Sequence, residues 1–311
     1  MGVIKSKIII SFLMPKTIFL FVLSSLEFNL YTIHQEISSL LNNSFFSIYD
    51  HPIDKDLIRN CYSQSEDFFS LPEVKKCAYA FPNMAGARGY TPFGKETALG
   101  EDVPDLKEFW HHGPVIDTSY DSRIPKNITI NELDKFNLIF DELFNDLNSL
   151  GIDLLSSIAP IIGLDNNYFD SWVNKGNSLL RMIHYPPSNN SNIFRAREHS
   201  DINLITLLIG ANEKGLEIKD KNNTWIEVEA DQDDIVCNIG DMLQLITDGR
   251  LKSTPHRVIK YLKDKPKSRF SIPFFLHPSP DTLLKSIYNK DDKGVLAHDF
   301  LDERLKAIKL Y

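Results

Sequence analysis

Apolar residues change their spacing near residue 177. Over residues 31–176 they recur mostly at three- and four-residue intervals, the repeat of a helix with one buried face. Ile33, Ile37, Leu40 and Leu41 follow that repeat, as do Leu133, Phe136, Ile139, Phe140, Leu143 and Leu147. The spacing predicts a helix over 54–69, closed by Pro72, and another over 131–151 that 152–162 extends. A strand-like run, Phe45-Phe46-Ser47-Ile48-Tyr49, stands between the first two helical stretches. From 177 to 285 the period is two. Strands are expected at 178–184, 202–209, 225–228, 235–239, 256–259 and 270–276, separated by polar turns such as 220–223 and 263–267. Many short strands in succession point to an antiparallel sandwich or barrel. The expected molecule is mainly β with flanking helices on a double-sheet core, all one domain, ending in a helix within 286–311. Residues 80–130 keep neither period and are rich in Gly, Pro and aromatics. Irregular stretches that long are often functional.

Composition narrows the class. Hydrophobic residues make up 42% and charged residues 24%, a globular balance that argues against disorder. With 34 Lys and Arg against 42 Asp and Glu, the net charge is -8, which argues against nucleic acid as the main partner. Cys61, Cys77 and Cys237 are too few and too scattered for a disulfide framework. They read as reduced, buried thiols, which favours the cytoplasm. The first thirty residues are apolar, but Pro15 and Lys16 break the run before it reaches a membrane span. Ile8-Ile9-Ile10-Ser11-Phe12 reads as a buried strand, with a signal peptide or anchor over 1–26 as the alternative.

Chemistry concentrates in the period-two region. His199 and Asp201 are two apart, so on a strand both side chains share a face. His256 opens a later strand. Two imidazoles and one carboxylate can hold one face of a redox-active metal and leave the other open, which points to mononuclear iron and oxidative chemistry. An HxD triplet alone is a weak signal. Arg269 and Ser271 strengthen it, because they too share a strand face and can grip a carboxylate through a bidentate guanidinium and a hydroxyl. Tyr185 offers a further hydroxyl. The pair His111-His112 lies in the irregular stretch and reads as packing or substrate-side residues rather than ligands.

These residues carry a resemblance. His199-x-Asp201, His256 and Arg269-x-Ser271 resemble the signature of the iron(II)/2-oxoglutarate-dependent oxygenases, in particular the isopenicillin N synthase-like branch and its bacterial ethylene- or succinate-forming members. Arg88-Gly89-Tyr90-Thr91-Pro92, Leu180-Arg181-Met182-Ile183-His184-Tyr185-Pro186-Pro187 and Asn238-Ile239-Gly240-Asp241 support it, and it extends from about residue 33 to 285. Asp50-His51-Pro52-Ile53 departs from the Asn-His-Gly-Ile common in that family. The resemblance implies a double-stranded β-helix, or jelly roll, with iron(II) on His199, Asp201 and His256. It implies 2-oxoglutarate chelating the iron, with its far carboxylate on Arg269 and Ser271 and with help from Tyr185. Oxygen is then the co-reactant, succinate and carbon dioxide are released, and ascorbate is an optional reductant.

The primary substrate is expected to be a small molecule, with hydroxylation the leading outcome. Arg88, Tyr90, Phe93, Trp110, Asn203 and Phe275 are the substrate-side candidates. Three rivals remain at this level: an iron oxidase of the same fold that does not use 2-oxoglutarate, a catalytically silent binding module, and a zinc hydrolase. The oligomeric state has no signature in the sequence.

Overall fold

The computed structural model describes residues 8–12, 20–23, 44–84, 86–98, 102–188, 193–261 and 265–308, the first two segments as backbone only. The helix expected around Ile33 to Leu41 lies outside them, as does most of the apolar N-terminus. In chain order the elements are β1 Ile8–Phe12, β2 Leu20–Leu23, β3 Phe45–Tyr49, α1 Lys55–Phe69, α2 Glu73–Cys77, β4 Gly89–Thr91, β5 Glu108–His112, α3 Phe136–Ile158 and α4 Asp170–Val173. Then follow β6 Leu179–Tyr185, β7 Phe194–His199, β8 Ile205–Ile209, β9 Leu216–Lys219, β10 Trp225–Glu227, β11 Ile235–Ile239, α5 Asp241–Ile246, β12 His256–Ile259, β13 Arg269–Leu276, the short pair β14 Leu283–Leu284 and β15 Val295–Leu296, and α6 Ala297–Ala307.

Two antiparallel sheets make the jelly roll. The larger runs β2-β1-β3-β11-β8-β13-β6-β5-β4 and the smaller β10-β9-β12-β7. Most of the period-two strands form where expected. The segment 202–209 is shorter, because the β8 strand begins only at Ile205. The irregular stretch also holds β4 and β5, paired to each other and to β6. Helix α1 starts where the Asp54 carboxylate accepts the Asp56 amide at 2.8 Å, an N-cap that satisfies a free helix-end donor. Its buried stripe is Leu57, Ile58, Cys61, Tyr62, Phe68 and Phe69. Helix α3 buries Phe136, Phe140, Leu143, Phe144, Leu147, Leu150, Leu154 and Ile158.

Both helices pack on one face of the larger sheet. Phe270, Ile272, Phe274 and Leu276 point from β13 into that apolar core. Contact is close: a Cβ on Gly151 of α3 would come within 3.1 Å of Leu276 Cδ2. The alternate residues of β13 point the other way, into the space between the sheets. Among the described residues no helix is long and apolar enough to cross a membrane. Cys61 and Cys237 are buried, but Cys77 is exposed and lies 3.4 Å from Glu73 Oε1, so one of the three thiols departs from the expected burial.

Candidate active site

A cavity of about 400 Å³ opens between the two sheets, within the size range of small-ligand sites. His199, Asp201 and His256 meet on its wall, each offering one ligand atom within 4.8 Å of the others. His199 ends β7 and His256 opens β12, and the two are cross-strand partners with ring centroids 4.3 Å apart. Asp201 is not on a strand. It sits in the connection to β8, where its carbonyl accepts the Asp241 amide at 2.7 Å. The shared-face argument for His199 and Asp201 therefore gives the right neighbours by a different geometry.

The three groups fit a cation. The Nδ1 of His199 lies 2.7 Å from the Arg197 carbonyl and that of His256 3.3 Å from the Thr254 carbonyl. Donation from both Nδ1–H groups leaves both Nε2 lone pairs for a metal. Thr206 and Asn238 donate to Asp201 Oδ2 at 2.7 and 2.8 Å, which leaves Oδ1 facing His256 Nε2 at 3.7 Å. Burial, then the neighbouring His256 and Lys107, push the His199 pKa down to about 4, so the ring is neutral at pH 7. Burial would raise the Asp201 carboxyl. The two imidazoles and the hydrogen bonds from Thr206 and Asn238 outweigh it and hold the group below the ordinary carboxylate value.

Arg269 and Ser271 line the same cavity, both buried. Arg269 is the cross-strand partner of Tyr185, whose ring centroid is 5.3 Å from the guanidinium carbon. Its Nε donates to the Glu213 carbonyl at 3.0 Å, but its buried Nη1 has no partner. A buried guanidinium with an open donor suits a carboxylate.

The six substrate-side candidates separate. Arg88, Asn203 and Phe275 line the cavity. Tyr90 and Trp110 do not: they are register partners on β4 and β5, buried in the helix-side core around Phe68. Tyr90 also bonds Glu108 through its hydroxyl. Phe93 is 48% exposed and away from the cavity wall. All three came from a stretch read as loop, in which Tyr90 and Trp110 sit on its two short strands, β4 and β5. Asn203 turns its amide to Thr206 Oγ1 at 3.1 Å and so braces the hydroxyl that holds Asp201.

The cavity wall also carries groups the motifs did not single out. Lys107 sits 2.8 Å from Glu96 and 3.0 Å from Asp105, and Arg181 lies 3.1 Å from Glu96. Burial would raise Glu96, but Arg181 and Lys107 outweigh it and hold it well below the usual range. Arg181 stacks over Phe109 at 4.2 Å and donates to His111 Nε2 at 2.5 Å. His111 thus lines the cavity, while His112 turns away to Asp141 at 2.7 Å. His111 belongs to the adjacent pair read from the sequence as packing or substrate-side residues, and Arg181 had the signal of a charge at an inward position of a strand. Leu301, Arg304, Leu305 and Ile308, from α6 and the residue after it, complete the wall.

Residues 176–278 match the 2OG-Fe(II) oxygenase superfamily, and residues 32–131 match the family described as non-haem dioxygenase in morphine synthesis N-terminal. The proline hydroxylase buaE of Petromyces alliaceus is 32% identical over 267 residues, 80% of this chain and 82% of its own. A 2OG-Fe(II) oxygenase family protein from Caulobacter crescentus superposes with a TM-score of 0.80 at 36% identity, covering 91% of this chain and 98% of that one. A full-length Neurospora crassa protein crystallised with alpha-KG gives 0.78 at 28% identity, covering 89% and 90%. The chain belongs to the 2OG-Fe(II) oxygenase superfamily. Its activity is that of an iron(II)- and 2-oxoglutarate-dependent dioxygenase acting on a small molecule.

Proposed function

We propose that iron(II) is held by His199 Nε2, Asp201 Oδ1 and His256 Nε2, and that the far carboxylate of 2-oxoglutarate takes Arg269 and Ser271, with Tyr185 beside it. The observation that carries this reading is the pairing, on one cavity, of three convergent lone-pair donors with the unpartnered Nη1 of buried Arg269. When bound, iron with 2-oxoglutarate supplies oxygen activation: one oxygen atom goes to succinate and the other to a C–H bond of the substrate, with release of carbon dioxide.

The protein's own residues do the rest. Thr206 and Asn238 occupy Asp201 Oδ2 and so favour monodentate ligation through Oδ1. Arg197 and Thr254 carbonyls fix the imidazole tautomers. Leu301, Leu305 and Ile308 give the cavity wall an apolar surface. Hydroxylation is the proposed outcome. In a 2-oxoglutarate-independent oxidase the Arg269 donor would take a substrate carboxylate instead, and stoichiometric carbon dioxide release from labelled 2-oxoglutarate separates the two readings.

A small molecule rather than nucleic acid fits the net charge of -8. Three free cysteines support a reducing compartment, with the cytoplasm as the proposed location. His199→Ala and Asp201→Ala proteins that still fold should lose iron- and oxygen-dependent succinate formation by about a thousandfold or more, as expected when a group acting as part of a unit is removed. Succinate formation at the parental rate in both would refute the ligand assignment.

A further inference from the structure

The cavity contains a second buried guanidinium that the co-substrate does not explain. Arg88 directly precedes β4 and is 2% exposed. Its Nη1 donates to the Ala87 carbonyl at 2.6 Å, while Nε and Nη2 are buried without a partner. Among the described residues no carboxylate forms an ion pair with it, and burial alone draws its pKa down to about 10. The group is packed so closely on Gly113 that a Cβ there would sit 2.0 Å from Nη2 and 2.3 Å from Nε. Only glycine leaves room for the guanidinium in this position.

The unsatisfied edge has the geometry of a carboxylate fork. Elsewhere in this protein Arg123 grips both oxygens of Asp121 through the same edge, with Nε to Oδ1 at 2.9 Å and Nη2 to Oδ2 at 2.5 Å. Arg88 lines the cavity, and that edge meets no protein acceptor. A buried cation left this way costs stability, so its retention calls for a ligand.

A second orphan lies nearby. His277 follows β13, and its Nδ1 is 3.3 Å from the Phe275 carbonyl while its buried Nε2 has no partner. Arg88 is near enough for its charge to oppose protonation of this ring. Donation from Nδ1–H leaves Nε2 as an acceptor on a residue that lines the cavity. Arg269, Ser271, Pro273, Phe275 and His277 form one lining stripe along β13. Eight residues at ~3.3 Å each separate Arg269 from His277 by about 26 Å. Arg88 therefore sits far from the carboxylate end proposed for 2-oxoglutarate.

We propose that Arg88 is the specificity-determining residue for the primary substrate, a small carboxylic acid whose carboxylate binds the Nε/Nη2 edge and whose N–H or O–H group donates to His277 Nε2. This rests on the oxygenase reading of the same cavity. It assigns Arg88 to the substrate and Arg269 to the co-substrate.

The test uses the iron-loaded full chain and matched pairs of probes: an amino acid, a hydroxy acid, an aromatic acid and an aliphatic diacid, each beside its primary amide. Succinate formation should be stimulated by at least one acid and by no amide. For the stimulating acid, Arg88→Gln and Arg88→Lys should raise the half-saturating concentration about 30-fold or more, as when one partner of a buried charge pair is removed. Anaerobic calorimetric titration with 2-oxoglutarate should give these variants an affinity within about threefold of the parent. Arg88→Met should unfold at a higher temperature than the parent, because an unpaired buried charge is gone; a purely structural arginine would give the opposite shift. The proposal is overturned if amides stimulate as well as acids, if no acid stimulates, or if the Arg88 variants lose 2-oxoglutarate affinity instead. Absence of 2-oxoglutarate binding to the parent would strike the oxygenase reading itself, a result distinct from all of these.

Discussion

The two faces of strand β13 treat polar atoms differently. On the helix side, β13 sends Phe270, Ile272, Phe274 and Leu276 into a continuous apolar core with α1 and α3. On the cavity side the same strand presents Arg269, Ser271, Pro273, Phe275 and His277, and two of these hold buried nitrogen atoms without partners. Unmet polar atoms are costly in a protein interior, commonly about 1–3 kcal/mol each. The helix side carries the cohesion of the fold, and the cavity side uses part of it to keep donors and acceptors ready for ligands.

That contrast can be broken from either side. The largest stability effect belongs to the helix side. Phe274 is fully buried, edge-to-face with Phe144 at 5.1 Å. Phe274→Ala should lower unfolding free energy by about 3–5 kcal/mol in urea titrations, while the variant that remains folded keeps its affinity for 2-oxoglutarate. A strong loss of that affinity would show that the two faces are not separable.

The next effect is pH-dependent and belongs to the cavity side. Burial pushes the His277 pKa down to about 4 from an ordinary 6.5, helped by the Arg88 charge and partly offset by the Phe275 carbonyl and Asp201. The unfolded chain therefore takes up the proton first as pH falls. The stability contributed by the neutral buried ring is full above about pH 6.5 and lost progressively down to about pH 4, by about 3 kcal/mol. His277→Gln should reduce the slope of stability against pH across that window, leaving the part that His199, depressed over the same range, supplies. An unchanged slope would remove His277 as its source.

The smallest effect is at Ser271. A hydroxyl's hydrogen bond to a carboxylate is worth about 1.5 kcal/mol at the low end, so Ser271→Ala should raise the 2-oxoglutarate requirement roughly tenfold in steady-state assays and leave stability almost unchanged. A shift as large as that from losing Arg269 would mean that the hydroxyl, not the guanidinium, dominates that end of the cavity.

Sequence legibility follows the same division. Helices α1 and α3 and strands β6, β11, β12 and β13 could be read because each buries a regular apolar stripe. Strand β7 was missed: in Phe-Arg-Ala-Arg-Glu-His only Ala196 is buried, since β7 edges the smaller sheet and has little apolar alternation to display. That His199, Asp201 and His256 converge, and that Arg269 and Ser271 face the same cavity, was legible from residue type and spacing. The position of Asp201 was not, because backbone and side-chain hydrogen bonds from Asp241, Thr206 and Asn238 hold it, and these residues come from three separate segments. Tyr90 and Trp110 misled for a related reason. Glycine and proline around them suggested loop, whereas their cross-strand pairing in β4 and β5 turns both into the core.

In the proposed site, buried Arg269 takes the carboxylate of 2-oxoglutarate beside a metal held by His199, Asp201 and His256. Anaerobic calorimetric titration of 2-oxoglutarate into the iron-loaded parent and Arg269→Gln proteins tests it most directly. The account predicts one site in the parent and a loss of affinity of about 100-fold in the variant at equal iron content, the scale for removing one partner of a buried, charge-assisted pair. Equal affinity in the two proteins would contradict it.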